Sequence, residues 1–71
     1  MNPSEKLIEQ RKDILGGTPV FKGTRVPVKT FFEYLEIDYS IQEFLEDFPT
    51  VSRQQVIDVL VSFKNQLLQP Q

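Results

Sequence analysis

The side chains able to do chemistry in this sequence are few, and the two most versatile are missing. Neither histidine nor cysteine occurs, so the commonest general base, the commonest metal ligand and the best neutral-pH nucleophile are absent together. Disulfides and zinc–sulfur sites are excluded on the same ground. An enzyme built here would have to work with carboxylates, Lys, Tyr, Ser or Thr. The densest carboxylate group is Glu43, Glu46 and Asp47, all within about one helical turn. Such a set could touch a divalent cation, but no second cluster completes a coordination shell. Carboxylates at this spacing are ordinarily a solvated face. The expectation is therefore no catalytic residue, no metal, no cofactor and no small-molecule substrate, and attention moves to groups that bind macromolecules.

Two sets of residues could contact nucleic acid. Arg53, Gln54 and Gln55 stand at the start of an apolar-periodic stretch, and Arg and Gln are the side chains that pair with guanine and adenine in the major groove. A plain solvated helix start is slightly favoured for them, because in that docking Glu43, Glu46 and Asp47 would meet phosphate. Lys22, Arg25 and Lys29 form the other set and could grip phosphates or an acidic partner. The plain reading of Lys22 is an exposed turn lysine. For Arg25 a structural role is favoured, its guanidinium tying a turn to backbone carbonyls or to an acid such as Glu33. Net charge is −2 but unevenly spread: residues 1–29 carry +3, residues 30–47 carry −6 with no Lys or Arg, and residues 48–71 carry +1. An acidic chain is a poor match for DNA as sole partner, although a local basic patch remains compatible with it. The unbroken −6 segment suits a different role, filling a basic channel on another protein.

The elements that must position these groups follow from the pattern of apolar residues. With 71 residues there is room for one domain and one small core. Residues 1–12 read as an arm, in which Leu7 and Ile8 suit a short edge strand or one helical turn capped by Ser4; the strand is preferred. From Asp13 onward three glycines and two prolines fall within twelve residues, 16–27, which excludes a continuous helix. Val20, Phe21, Thr24 and Val26 favour extended backbone, so a short β-hairpin turning at Lys22-Gly23 is expected, with Gly23 at positive φ.

After Pro27, Val28, Phe31, Phe32 and Leu35 switch to helical spacing. A second helix starts at Ser40 and stops before Pro49, with Ile41, Phe44, Leu45 and Phe48 on one face. A third runs from Arg53 toward Leu67 with Val56, Val59, Leu60, Phe63 and Leu67 as its main stripe. Ser40 with Glu43, and Ser52 with Gln55, are capping boxes; Tyr39 with Phe44 and Val51 with Val56 stand where hydrophobic staples go. The third helix also carries Ile57, Val61 and Leu68 as a second apolar line. Either this line meets another molecule or the N-terminal strands cover it; the sequence leaves both open. Residues 13–67 thus form one domain, mainly α: three helices in helix-turn-helix-like order after a short N-terminal β-hairpin, with 68–71 as a tail. No apolar run is long enough to span a bilayer, and no segment of signal-peptide length opens the chain, so a cytoplasmic location is expected.

The run Gly16-Gly17-Thr18-Pro19-Val20-Phe21-Lys22-Gly23-Thr24-Arg25-Val26-Pro27-Val28 resembles the signature of the DUF433 family. The likeness continues through Phe32, Tyr34-Leu35, Ser40, Glu43-Phe44-Leu45 and Asp47-Phe48-Pro49 to Val51-Ser52-Arg53. One departure is that family members often have Gly near the end of the first helix, where this chain has Glu36-Ile37-Asp38; Ile is costly at positive φ, so Asp38 or a different turn must serve. The resemblance implies a homeodomain-like three-helix bundle and a role as antitoxin beside a PIN-like ribonuclease toxin. On that expectation Ile57, Val61 and Leu68 serve association, including a homodimer. Glu43, Glu46 and Asp47 meet the toxin, and Lys22, Arg25, Lys29, Arg53, Gln54 and Gln55 contact operator DNA if the protein represses its own operon. The competing expectation is a stand-alone interaction module without a DNA role.

Overall fold

In the computed structural model, which describes residues 7–69, the order is strand, strand and three helices. The strands are β1 (Ile8–Glu9) and β2 (Val20–Phe21); the helices are α1 (Val28–Glu36), α2 (Ile41–Asp47) and α3 (Arg53–Leu68). The mainly helical, three-helix arrangement after a β element is the expected one. Ser4, which would have capped a helical turn in the arm, lies outside the described residues; the strand reading holds for Ile8 and Glu9.

The sheet differs in one respect from a local hairpin. β2 pairs antiparallel with β1, Ile8 opposite Phe21 and Glu9 opposite Val20, so its partner comes from the arm. The expected turn at Lys22-Gly23 is also present: the Phe21 amide donates to Val26 O at 3.0 Å, the Thr24 amide to Phe21 O at 3.0 Å, and Gly23 has φ 77°. That return leg reaches only a single bridge, Val20 to Pro27, because Pro27 has no N–H to extend a ladder. Leu7 and Ile8 pack against the core, so the folded unit starts before Asp13. Thr24 is buried without penalty, its hydroxyl donating to Phe21 O at 2.8 Å and accepting from the Val26 amide at 3.0 Å.

Pro27 then serves α1 from the N-cap position. It offers no side-chain cap, and one of the orphan donors of the first turn is satisfied by the sheet instead, Val28 N–H to Pro19 O at 3.0 Å. At the other end Asp38 takes φ 72°, a left-handed position that glycine fills most easily. The Asp38 amide donates to Leu35 O and the Tyr39 amide to Tyr34 O, at 3.1 and 2.9 Å. This is a Schellman turn with aspartate in its left-handed position. The hydrophobic contact that accompanies such turns is made by Tyr34 and Tyr39, whose rings lie 5.2 Å apart. Tyr39 therefore packs back on α1.

Both capping boxes form as read. Ser40 Oγ accepts from the Glu43 amide and Glu43 Oε1 from the Ser40 amide; Ser52 and Gln55 do the same. Val51 and Val56 are both in the core, as a staple requires.

The core is Phe21, Val26, Val28, Phe31, Phe44, Val51, Val56 and Val59. Phe44 is at its centre: its ring lies 6.0 Å from Phe21, 5.1 Å from Phe31, 5.4 Å from Tyr34 and 5.0 Å from Phe48. These separations are those of favourable edge and offset aromatic pairs. One expectation fails in α3. Its main stripe is buried only through its first half: Val56 and Val59 are closed off, but Phe63 is 36% and Leu67 83% exposed, because the helix outruns the elements beneath it.

Two outcomes follow. Phe44→Ala should cost about 3–5 kcal/mol, enough to leave the chain largely unfolded by circular dichroism in a domain of this size. Asp38→Gly should raise stability by about 0.5–1 kcal/mol by relieving a left-handed non-glycine residue, seen as a midpoint shift in urea with an unchanged slope.

Candidate functional site

Three of the six residues proposed for nucleic-acid contact converge on one end of the molecule. The Gln55 side-chain amide donates to Lys22 O at 2.9 Å, which fixes the β turn beside the N-terminus of α3. Arg25 lines a cleft with Val26, Pro27, Phe48 and Thr50, at the α2–α3 connection. Arg53 is the first residue of α3. Lys22, Arg25 and Arg53 are therefore neighbours of the same connection and all exposed, whereas the sequence had them in two separate groups. Lys29 does not join them. It lines a different cleft, with Phe32, Phe63 and Gln66, beside the C-terminal half of α3.

Arg25 departs from its expected structural role. Among the described residues its guanidinium makes no hydrogen bond or ion pair, with Glu33 or with any carbonyl. The hairpin is tied by backbone bonds and by Thr24, which leaves nothing for the arginine to hold.

The start of α3 is less free than its residue types suggest. Gln55 accepts from the Ser52 amide at 2.9 Å while donating to Lys22 O, so it could read a base only by releasing both the helix cap and the turn. Gln54 donates to Asp58 Oδ1 at 2.8 Å one turn along, and Arg53 donates to Gln42 Oε1 of α2 at 3.2 Å. The last two bonds are exposed and could be exchanged for a ligand at small cost.

The acidic set divides in the same way. Glu43 is the reciprocal member of the α2 capping box, accepting from the Ser40 amide at 3.0 Å. Asp47 accepts from the Tyr34 hydroxyl at 2.7 Å, joining the end of α2 to α1, a link no sequence pattern announced. Glu46 makes only a long contact with Gln42, at 3.5 Å, and is the member most available to a partner. Among the described residues no group of three acidic side chains is placed to hold a metal ion. The Tyr34 phenol is held above its ordinary value, first by the hydrogen bond to Asp47, then by partial desolvation and the charge of the same carboxylate.

The second apolar line of α3 is open to solvent. Ile57 is 38%, Val61 43% and Leu68 72% exposed, and the β strands do not cover it. At the other end of the chain Arg11 is forked onto Asp13, Nε to Oδ1 at 3.1 Å and Nη2 to Oδ2 at 2.9 Å, on the surface.

A family model described as a protein of unknown function, DUF433, matches residues 8–61. The chain belongs to the DUF433 family. The match starts at β1, in agreement with the packing of Ile8, and ends within α3 before its overhanging turns. An uncharacterized protein, y4eO, of Sinorhizobium fredii (strain NBRC 101917 / NGR234), is 34% identical over 53 residues, 75% of this chain and 24% of that protein. The chain thus spans about a quarter of the length of that relative. No solved structure matches. Among the described residues no helix is long and apolar enough to cross a membrane.

Two measurements check these assignments. Gln55→Ala should destabilise the fold by about 1–2 kcal/mol, since a cap and a tertiary hydrogen bond go together; a side chain serving only a ligand would leave stability unchanged. For Tyr34 the folded pKa is raised above the unfolded value of 10.0, so its contribution is complete below that pH and is lost as pH rises through the folded value. Ultraviolet titration of the phenolate should show Tyr34 ionising later than an ordinary tyrosine, and Asp47→Ala should bring it back.

Proposed function

We propose that this DUF433 chain is a protein-binding module acting as the antitoxin of a bacterial type II toxin–antitoxin pair, neutralising a PIN-like ribonuclease in the cytoplasm without enzymatic activity of its own. The observation that carries this reading is the exposed apolar line Ile57, Val61 and Leu68 on α3. Apolar residues aligned along one exposed helix face form the kind of surface that another molecule covers. The acidic run through α1 and α2 adds charge of the sign that a ribonuclease channel binds. Within that run Glu43 and Asp47 hold the fold and Glu46 is free to meet the toxin.

A DNA role is supported by a separate observation, the convergence of Lys22, Arg25 and Arg53 at the α2–α3 connection. In helix-turn-helix docking the start of the second helix enters the major groove. Autorepression of the operon would use this end, and a stand-alone interaction module would not need it.

Co-expression with a PIN-like nuclease encoded beside the gene tests the main reading. Growth should be rescued, and both Ile57→Glu and Glu46→Lys should lower affinity for the nuclease at least about tenfold. Absence of rescue together with absence of a complex would overturn it. Gel shift on the upstream DNA should weaken steeply with salt, with a smaller slope after Arg53→Ala.

A further inference from the structure

The inner stripe of α3 runs on after the domain beneath it has ended. Val56, Leu60, Phe63 and Leu67 are spaced four, three and four residues apart, the spacing of a helix seam that faces another helix. Exposure rises along that half of the helix, from 0% at Val56 to 36% at Phe63 and 83% at Leu67. The last aromatic contact the stripe makes inside its own chain is Phe63 with Phe32, ring centroids 5.5 Å apart. Directly beside it lies a cleft floored by Ile8, Pro19, Val28, Phe32 and Phe63, with Gln66 at its border. An apolar ridge and an apolar cleft thus share Phe63 on one side of the molecule. A surface that carries both halves of a contact side by side can be closed by a two-fold axis, each copy filling the cleft of the other.

Charge points to the same occupant. The last turn of α3 contains no basic residue, so the partial negative charge of its terminal carbonyls is not compensated there. The rim of the cleft carries Lys29, Arg11 and Glu9, and the Glu9 carboxylate is occupied by the Gly23 amide at 2.7 Å. Arg11 is already forked onto Asp13, while Lys29 has no hydrogen-bond or ion-pair partner among the described residues. An ammonium group near helix-terminal carbonyls is a favourable cap.

We infer that two copies of this chain pair through the C-terminal halves of α3, Leu67 of each entering the cleft of the other and Lys29 capping the α3 C-terminus that arrives there. The pairing deepens the protein-binding reading above, since it occupies the inner stripe and leaves Ile57 and Val61 to a different partner. It does not depend on the toxin, because the chain alone decides it.

Sedimentation equilibrium of the purified chain over a micromolar to millimolar series tests it. The wild type should be a dimer. Leu67→Glu, at a position too exposed to affect folding, should be monomeric with an unchanged circular dichroism spectrum. Lys29→Glu should weaken the dimer on the order of tenfold, and Ile57→Glu should leave it intact. A wild type that stays monomeric throughout the series overturns the inference, as does a Leu67→Glu variant that dimerises as well as the wild type. Dissociation by Ile57→Glu with Leu67→Glu still dimeric overturns it too and moves the interface to the outer line. Since no nuclease is in the assay, failure here is separate from failure of the antitoxin reading.

Discussion

Everything in this fold is arranged around the ring of Phe44. α2 has seven residues, about two turns, too short to be stable alone. Its one fully buried side chain meets Phe21 of β2, Phe31 and Tyr34 of α1 and Phe48 at its own C-terminal end. Burying one aromatic of α2 against two other elements stabilises each through the same atoms, which is how a small chain without disulfides obtains a cooperative core. Without it the aromatic contact left between β2 and α1 would be their direct one, Phe21 edge-on to Phe31 at 6.3 Å.

Polar groups near that core are used to hold elements in place, and this decides what remains for function. Gln55 joins α3 to the β turn, Asp47 joins α2 to α1, and Glu43 closes the α2 cap. Each is a residue type that could have served a partner. Among what is left over are Lys22, Arg25 and Arg53 around the α2–α3 connection, Lys29 at the cleft beside α3, Glu46 on α2, and two apolar lines on α3. A helix of sixteen residues is about 24 Å long, longer than the layer beneath it, so its inner line becomes surface toward the C-terminus.

The local features were legible in the sequence because their causes are local. Ser40 with Glu43 and Ser52 with Gln55 announce helix starts, Pro49 announces a stop, Gly23 announces a turn, and the change from alternating to helical spacing at Pro27 separates the sheet from the bundle. Asp38 was named as a candidate for the position a glycine would normally fill, and it takes it. Membership of DUF433 was legible from the Gly-Gly-Thr-Pro to Pro-Val run for the same reason. That run contains the turn residues and core strand residues that shape the sheet.

What the sequence could not decide was where each element ends relative to the others. Period alone assigns Phe63 and Leu67 to the same stripe as Val56 and Val59, and only the packed structure shows that none of the other described elements lies under the last turn. Residue type alone offered Gln55 as a candidate base reader and favoured a structural tie for Arg25. In the fold Gln55 is tied to Ser52 and Lys22 while the Arg25 guanidinium makes no hydrogen bond among the described residues, because hydrogen bonds between residues far apart in the chain depend on a distance that no spacing encodes. The sequence by itself determined the helices, their caps, the turn and the lack of histidine and cysteine chemistry. Only the tertiary structure decided which polar groups are spent on holding the elements together and which face outward. Caps and periods are set within a few residues, whereas exposure is a property of the whole assembled surface.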